Sequence, residues 1–259
     1  MPENLAGCRV PTTAMTDIRN YILDIIFPRR CLSCDILLGN DSAASYACRH
    51  CLAAITFNNN FACAFCRSPV AGGKTCPFCA KEHFLDKLLV TASYETPLVE
   101  KMLKSMKYRF VRSLAQDIAN LMVKYLKKRL AFQGEVDQAS ALVVPVPLHF
   151  RRLNWRGFNQ AGIIAETIGR HFGLNEAAGA LKRIRNNLPQ AGMPDRGLRI
   201  QNAKDIFAPG KIAVAGKTVL LIDDIATTGS TLDDCARALK GAGAKEVIGF
   251  VFARNKLKI

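Results

Sequence analysis

Two aspartates, Asp223 and Asp224, stand side by side in the run VLLIDDIATTGST, Val219 to Thr231. Four apolar residues precede them and a string of small residues follows. Side-by-side carboxylates suit the hydroxyls of a sugar, bound directly or through a cation. The segment Ala226–Thr231 supplies the complementary chemistry. Gly229 lets the backbone approach a ligand, and Thr227, Thr228, Ser230 and Thr231 offer hydroxyl donors. Where such a loop enters a helix, its unpaired amides and partial positive charge favour a phosphate. A phosphorylated ribose satisfies both halves of the pattern. The plainer reading is that the two acids cap a strand and a helix, but adjacent acids after four buried apolar residues gain little from capping alone. A Walker-type phosphate loop at Gly216–Thr218 fails. The earlier Gly210 is one residue too distant, and the motif leads into a strand instead of following one.

The second cluster of chemistry is sulfur. Of ten cysteines, eight form four C-x-x-C pairs: Cys31/Cys34, Cys48/Cys51, Cys63/Cys66 and Cys76/Cys79. Each pair can present two thiolates to one ion, so four pairs predict two tetrahedral Cys₄ zinc sites. Sequential and interleaved pairing both fit the spacing. Iron–sulfur or dithiol redox chemistry is the competing use. A closed Cys₄ site leaves no position for substrate, so these ions should hold the fold and not catalyse. His50 and His83 lie close by, but the cysteines already complete the ligand count and both read as ordinary surface residues. Arg49, Arg67, Lys74 and Lys81 are too scattered to mark a nucleic-acid face.

Stepping outward, these residues need elements to hold them. About half of the 259 residues are apolar, enough for a sizeable core. Residues 1–30 show Ile18, Ile22, Ile25 and Ile26 at helical spacing, with Pro28 as a stop. Residues 31–84 form the cysteine module, whose fold depends on metal. From residue 85 to 259 the pattern is α/β. Strands are expected at Leu88–Tyr94, Ala141–Pro147, Thr218–Asp224 and Glu246–Ala253. Helices are expected from Val111 to Tyr125, from Ala161 to Phe172 and from Ser230 to Gly241. Continuous apolar strands alternating with helices imply a parallel sheet covered on both faces. Asp223 and Asp224 then fall at the carboxyl end of a buried strand, where open α/β sheets bind ligands.

Lys and Arg give the chain a net charge of +15. Two zinc-thiolate sites would lower that by about four units and leave the chain strongly basic. Such a balance suits nucleic acid or phosphorylated small molecules. Lys101, Lys104 and Lys107 recur every three residues, followed by Arg109 and Arg112, and read as a solvated basic helix face. A track for a nucleic-acid backbone is the sharper alternative. No apolar run approaches a membrane span, and no export signal is evident, so a cytoplasmic location is expected.

VLLIDDIATTGST resembles the 5-phosphoribosyl-1-pyrophosphate (PRPP) motif of type I phosphoribosyltransferases. FPRRCLSC (Phe27–Cys34), VPVPLHFRRLNWRGFNQA (Val144–Ala161) and the spaced Gln190, Arg199, Asn202 and Phe207 narrow the resemblance to the ComF family. These are competence-associated proteins with a zinc-ribbon N-terminus and a type I phosphoribosyltransferase-like domain. The resemblance implies that Asp223 and Asp224 contact the ribose hydroxyls and that Ala226, Thr227, Thr228, Gly229, Ser230 and Thr231 cradle the 5′-phosphate. It places Arg151, Arg152 and Arg156 toward the pyrophosphate, which arrives with Mg²⁺. It also assigns residues from Arg183 to Phe207 to the loop that closes over substrate. The chain ends soon after the last strand, leaving little room for the segment that usually covers the base; the zinc module is a candidate replacement.

Three functional classes follow. The first is a transferase using PRPP, in which the protein positions the ribose, stabilises departing pyrophosphate and excludes water. The second is a non-catalytic sensor of PRPP or a nucleotide, acting in DNA uptake with single-stranded DNA or recombination partners. The third is a zinc-ribbon nucleic-acid adaptor that has lost its small ligand, against which the intact acidic pair argues.

Overall fold

The computed structural model describes residues 29–38, 45–109, 111–129, 140–185 and 205–255. The helix expected within residues 1–30 and loop residues 186–204 lie outside that set. Among the described residues the cysteine module contains one short α-helix, α1 (Arg49–Ala53), and two single 3-10 turns at Ala71–Gly73 and Cys79–Lys81. From Lys87 onward strands and helices alternate: β1 (Lys87–Ser93), α2 (Pro97–Tyr108), α3 (Ser113–Lys128), β2 (Ala141–Pro145), α4 (Phe150–Arg156) and α5 (Gln160–Phe172). There follow β3 (Asn175–Glu176), β4 (Leu181–Arg183), β5 (Phe207–Pro209), β6 (Thr218–Ala226), α6 (Ser230–Gly241) and β7 (Glu246–Arg254).

Five strands form a parallel sheet in the order β1-β7-β6-β2-β3, while β4 and β5 pair antiparallel beside it. From β2 the chain runs outward to β3, then returns to β6 on the other side of β2. That reversal is a topological switch point, which opens a crevice beyond the carboxyl ends of β2 and β6. The alternation of β6 divides its side chains between two cores. Leu220 and Ile222 pack under α2, α3 and α5, together with Phe250 and Phe252 of β7. Val219 and Leu221 pack with α6 and the β4–β5 hairpin. Both sheet faces are therefore covered, as the unbroken apolar runs require.

Local sequence fixes the elements nearest the crevice. In RGFNQ, Asn159 caps α5 by accepting from Ala161 N at 3.2 Å, and its amide donates to Val146 O at 3.2 Å. One residue thus starts a helix and ties it to the end of β2. Helix α4 was not expected from the sequence. It has no buried residue, so no hydrophobic period marks it. The three short strands β3–β5 were likewise too brief to leave a pattern.

The two halves of the cysteine module pack in different places. Cys31, Cys51 and Ile55 join the core that contains α3, and Ser45 Oγ donates to Asp117 of α3 at 2.9 Å. The segment between the halves covers the β1 edge, through a Phe57–Ala92 bridge and Asn58 N donating to Thr91 O at 2.8 Å. The second half lies against the start of α6. Edge coverage of this kind suppresses strand-to-strand association.

Buried Asp234 of α6 organises the opposite flank. Its carboxylate accepts from the backbone N–H groups of Asp205, Ile206 and Phe207 at 3.0, 2.8 and 3.1 Å, and from Arg237 at 2.8 Å. Asp234→Ala leaves those donors without an acceptor. It should lower unfolding free energy by about 3 kcal/mol in urea titration, whereas a surface change such as Lys211→Ala should stay within about 0.5 kcal/mol.

Candidate functional site

Strand alternation, period two, sends Asp223 toward α6 and Asp224 toward α2. The surroundings agree. Asp224 is 2 % exposed, and its Oδ2 lies 2.9 Å from Lys107 Nζ at the end of α2. The lysine approaches off the hydrogen-bond axis, so this oxygen has a countercharge but no hydrogen-bond donor among the described residues. An orphaned carboxylate oxygen at a strand end is fitted to accept a ligand hydroxyl. Asp223 is half-buried, and its Oδ1 accepts from Asp224 N at 2.8 Å. Burial, and then the charge of Asp224, push the Asp223 carboxyl up to about 7 against the pull of Lys107.

The reading of Lys107 as part of a solvated face is corrected here. Lys101 and Lys104 are exposed, and Lys104 pairs with Glu100 at 2.7 Å. A three-residue step on an α-helix drifts by roughly 60°, so two steps carry Lys107 about 120° round from Lys101. It arrives one turn beyond buried Leu103, at the apolar edge.

Cations line the crevice on both sides. Arg156 is partly buried, its Nη1 donates to Gln160 Oε1 at 2.6 Å, and its Nε has no partner among the described residues. Burial lowers its pKa, while the charges of Asp224 and Asp223 act in the opposite sense. Arg183, at the end of β4, lies over the Phe207 ring at 5.5 Å. Burial and then Arg152 lower its pKa, and Asp223 opposes them. Arg156 thus interacts with both acids, Asp224 first, and Arg183 with Asp223. Arg152 is exposed, yet its charge reaches both. Arg151 turns outward over the Phe150 ring at 5.9 Å and is not brought to the acids.

His149 is a site residue that motif reading passed over. It is buried, caps α4, and accepts from Arg151 N on Nδ1 at 3.3 Å. That bond leaves the proton on Nε2. Burial, followed by the charges of Arg183, Arg151 and Arg152, holds its pKa below the ordinary value and keeps the ring a neutral donor at pH 7.

The loop from Ala226 to Thr231 runs from the end of β6 into α6. Gly229 occupies the N-cap with φ +86° and offers no side-chain cap to the first turn. Thr228 Oγ1 and Ser230 Oγ are 2.5 Å apart on the same side of the turn. A Cβ at position 229 would lie a tight 3.3 Å from Ala64 O in the cysteine module, and the left-handed conformation is what calls for glycine.

The cysteines resolve into two clusters with sequential pairing: Cys31, Cys34, Cys48 and Cys51, then Cys63, Cys66, Cys76 and Cys79. All sulfurs of a cluster lie within 4.8 Å of one another. An ion bound tetrahedrally at about 2.3 Å sets its sulfurs roughly 3.8 Å apart. Cys34–Cys48 and Cys66–Cys76 stand at 3.7 and 3.6 Å. Backbone N–H groups of Cys48 and Cys76 point at Cys31 and Cys63 sulfurs at 3.3 and 3.5 Å, the outer support that thiolate ligands use. Both clusters are consistent with zinc. His83 is no ligand and no ordinary surface residue: it stacks on Phe65 at 3.5 Å and pairs with Asp233 at 2.8 Å. Nothing in the sequence signalled a contact with a residue 150 positions away.

Two outcomes follow. Chelation of the metal should release two zinc ions per chain and abolish amide protection across residues 45–83, read by metal analysis and hydrogen exchange. The second concerns pH. The folded protein holds a proton on Asp223 up to about pH 7, whereas the unfolded chain releases it near 4. That contribution to stability is complete below about pH 4 and is lost as pH rises through 7. Asp223→Asn removes the dependence. The stability of the variant relative to the native protein should therefore grow by about 2 kcal/mol between pH 5.5 and pH 8.

Known proteins place this arrangement. Residues 161–258 match the phosphoribosyl transferase domain family and residues 22–80 the double zinc ribbon domain family. Competence protein F of Haemophilus influenzae is 27% identical over 229 residues, covering 81% of this chain and 97% of that protein. Competence protein ComFC of Bacillus subtilis is 28% identical over 246 residues, covering 87% and 95%. DNA utilization protein YhgH of Escherichia coli K12 is 29% identical over 161 residues, covering 62% and 69%. No helix among the described residues is long and apolar enough to cross a membrane. With its paired cysteine clusters and its parallel sheet, the chain joins a double zinc ribbon to a phosphoribosyltransferase-like domain and is similar over most of its length to the ComF-type competence proteins.

Proposed function

We propose that the crevice beyond β2 and β6 binds Mg-PRPP and transfers or senses its phosphoribosyl group. The observation that carries this reading is the acidic pair astride the end of β6, with one carboxylate oxygen buried and lacking a donor among the described residues, beside a helix N-terminus without a side-chain cap. Asp224, paired with Lys107, accepts one ribose hydroxyl, and Asp223 accepts the other. The amides of Thr228–Thr231 and the hydroxyls of Thr228 and Ser230 receive the 5′-phosphate. Arg156, Arg183 and His149 face the pyrophosphate, with Arg152 adding charge at the rim. Mg²⁺, when bound with PRPP, neutralises part of the pyrophosphate charge and needs no protein cage of its own. The protein groups act by holding C1 of the ribose open to a nucleophile and by stabilising the departing pyrophosphate as charge builds on it.

The names of the relatives connect this site to competence and DNA utilization. A second reading takes the site as a sensor whose output is contact with single-stranded DNA or uptake and recombination proteins in the cytoplasm. Helix α4 favours it, since Phe150 and Trp155 are 61% and 60% exposed beside exposed Arg151 and Arg152. Bases can stack on such rings while the guanidiniums meet phosphates.

Thermal and urea unfolding of the zinc-replete protein with Mg²⁺ and PRPP tests the shared premise. Ligand at a hundred times its dissociation constant should add about 2.7 kcal/mol, and Asp223→Asn with Asp224→Asn should abolish the gain. The absence of any shift in the native protein would end the phosphoribosyl reading. Pyrophosphate release in the presence of an acceptor then marks a transferase, and binding without release a sensor.

A further inference from the structure

The two zinc ribbons are built alike and used differently. In each, the residue after the second cysteine adopts a left-handed conformation: Asp35 with φ 60° and Arg67 with φ 64°. Each knuckle is closed by an equivalent bridge, Arg30 to Leu37 and Ala62 to Pro69. In the first ribbon the left-handed residue keeps its side chain at home, where Asp35 accepts from Arg30 at 3.1 Å. In the second ribbon Arg67 reaches across to the sheet domain. Its Nη2 donates to Thr227 O at 3.3 Å and to Asn255 O at 2.6 Å. The left-handed conformation belongs to the knuckle, since Asp35 shares it; what distinguishes the second ribbon is where the side chain goes.

Three further contacts join the same two parts. Arg254, at the end of β7, donates to Cys63 O at 3.2 Å and to Ala64 O. Phe65 stacks on His83, whose Nδ1 meets Asp233 Oδ2 at 2.8 Å; the other oxygen of Asp233 accepts from Phe84 N and Leu85 N at 2.7 and 3.1 Å. Asp233 belongs to the first turn of α6, immediately after the loop. Gly229 then backs onto Ala64 and the Phe65 ring. The segment Ala226–Asp233 is thus held at the Thr227 carbonyl, behind Gly229 and at the Asp233 carboxylate, by residues that flank or follow Cys63, Cys66, Cys76 and Cys79. The first cluster makes its contacts on α3 instead.

We infer that the second ribbon is the positioning element of the phosphate loop: Arg67 and His83 hold Thr227–Leu232 in its receiving shape, and they do so only while metal fills the second cysteine cluster. Loss of that metal, by oxidation or chelation, loosens the loop, whereas loss of the first leaves it in place. A Cys₄ site around a divalent ion keeps net negative charge, and Arg67 and Arg254 lie beside it, so the ion also fixes the two guanidiniums. The consequence for ligand binding rests on the phosphoribosyl reading above, but the consequence for loop order does not.

The test uses the full zinc-replete chain. Arg67→Ala with His83→Ala retains all eight cysteines. Cys66→Ser with Cys76→Ser opens the second cluster, and Cys34→Ser with Cys48→Ser opens the first. Zinc content, amide exchange without ligand and calorimetric binding of Mg-PRPP are read for each. Arg67→Ala/His83→Ala should keep two zinc ions and native exchange in α3, accelerate exchange at Thr227–Leu232 about tenfold or more, and weaken PRPP by a similar factor. The second-cluster variant should accelerate the same amides, and the first-cluster variant should not. Unchanged loop exchange in Arg67→Ala/His83→Ala overturns the proposal, as does equal loosening by the first-cluster variant. Should a cysteine variant fail to fold, the arginine–histidine variant decides alone. Loosening of the loop in a protein that binds no PRPP upholds the positioning role and removes the ligand reading.

Discussion

Two adjacent carboxylates at the end of one buried parallel strand impose the main constraint on this structure. Alternation of side chains sends them to opposite faces, so each meets its own set of neighbours. Each face brings cations through its own core. On the α2 side, Lys107 and Arg156 do this; on the α6 side, Arg183 does. The same division separates the two hydrophobic clusters that β6 joins. Compensation is incomplete in geometry: among the described residues Asp224 Oδ2 has a charge partner without a hydrogen-bond donor, and Asp223 holds its proton to about 7. A purely structural pair of acids would have no reason to remain so poorly satisfied at the one point where the sheet opens a crevice.

The cysteine module answers a different constraint. A stretch of some fifty residues without a long apolar pattern cannot build a core of its own, and metal–thiolate bonds substitute for one. Each metal-centred half still has to bury what apolar surface it possesses. The first half buries it on α3, the second against the loop that follows β6. A scaffold requirement of the ribbons and a support requirement of the loop are met by one interface.

The alternation of apolar strands and helices was legible because the sheet is covered on both sides, which leaves continuous runs such as VLLI and EVIGFVFA. The acidic pair and the small-residue loop were legible because their chemistry is local in sequence. Cluster pairing was not, since spacing alone allows two assignments and only packing selects one. Helix α4 left no signal because it buries nothing. Lys107 was hidden by the regularity of its neighbours, although its place one turn after Leu103 does separate it from Lys101. His83 and Arg67 could not be found at all: their partners, Asp233 and Thr227, lie 150 and 160 residues away.

A loop that receives a phosphate has few amides to spare for holding itself; here Ser230 N donates within the loop, to Thr228 Oγ1 at 3.4 Å. Capping residues that would satisfy the first turn of α6 would also occupy the donors a ligand needs, and Gly229 at the N-cap supplies none. Such a loop has little intrinsic order, and glycine in a left-handed conformation adds to the entropy of its alternatives. Order must then come from groups that take the loop's carbonyls and flanking side chains while leaving its N–H groups alone. Arg67 takes the carbonyl of Thr227, His83 takes the carboxylate of Asp233, and Phe65 closes the space behind Gly229. None of the three uses an amide between Thr228 and Thr231. The second ribbon therefore supports the loop from the side a ligand does not need, which is the arrangement that preorganises an anion site without filling it.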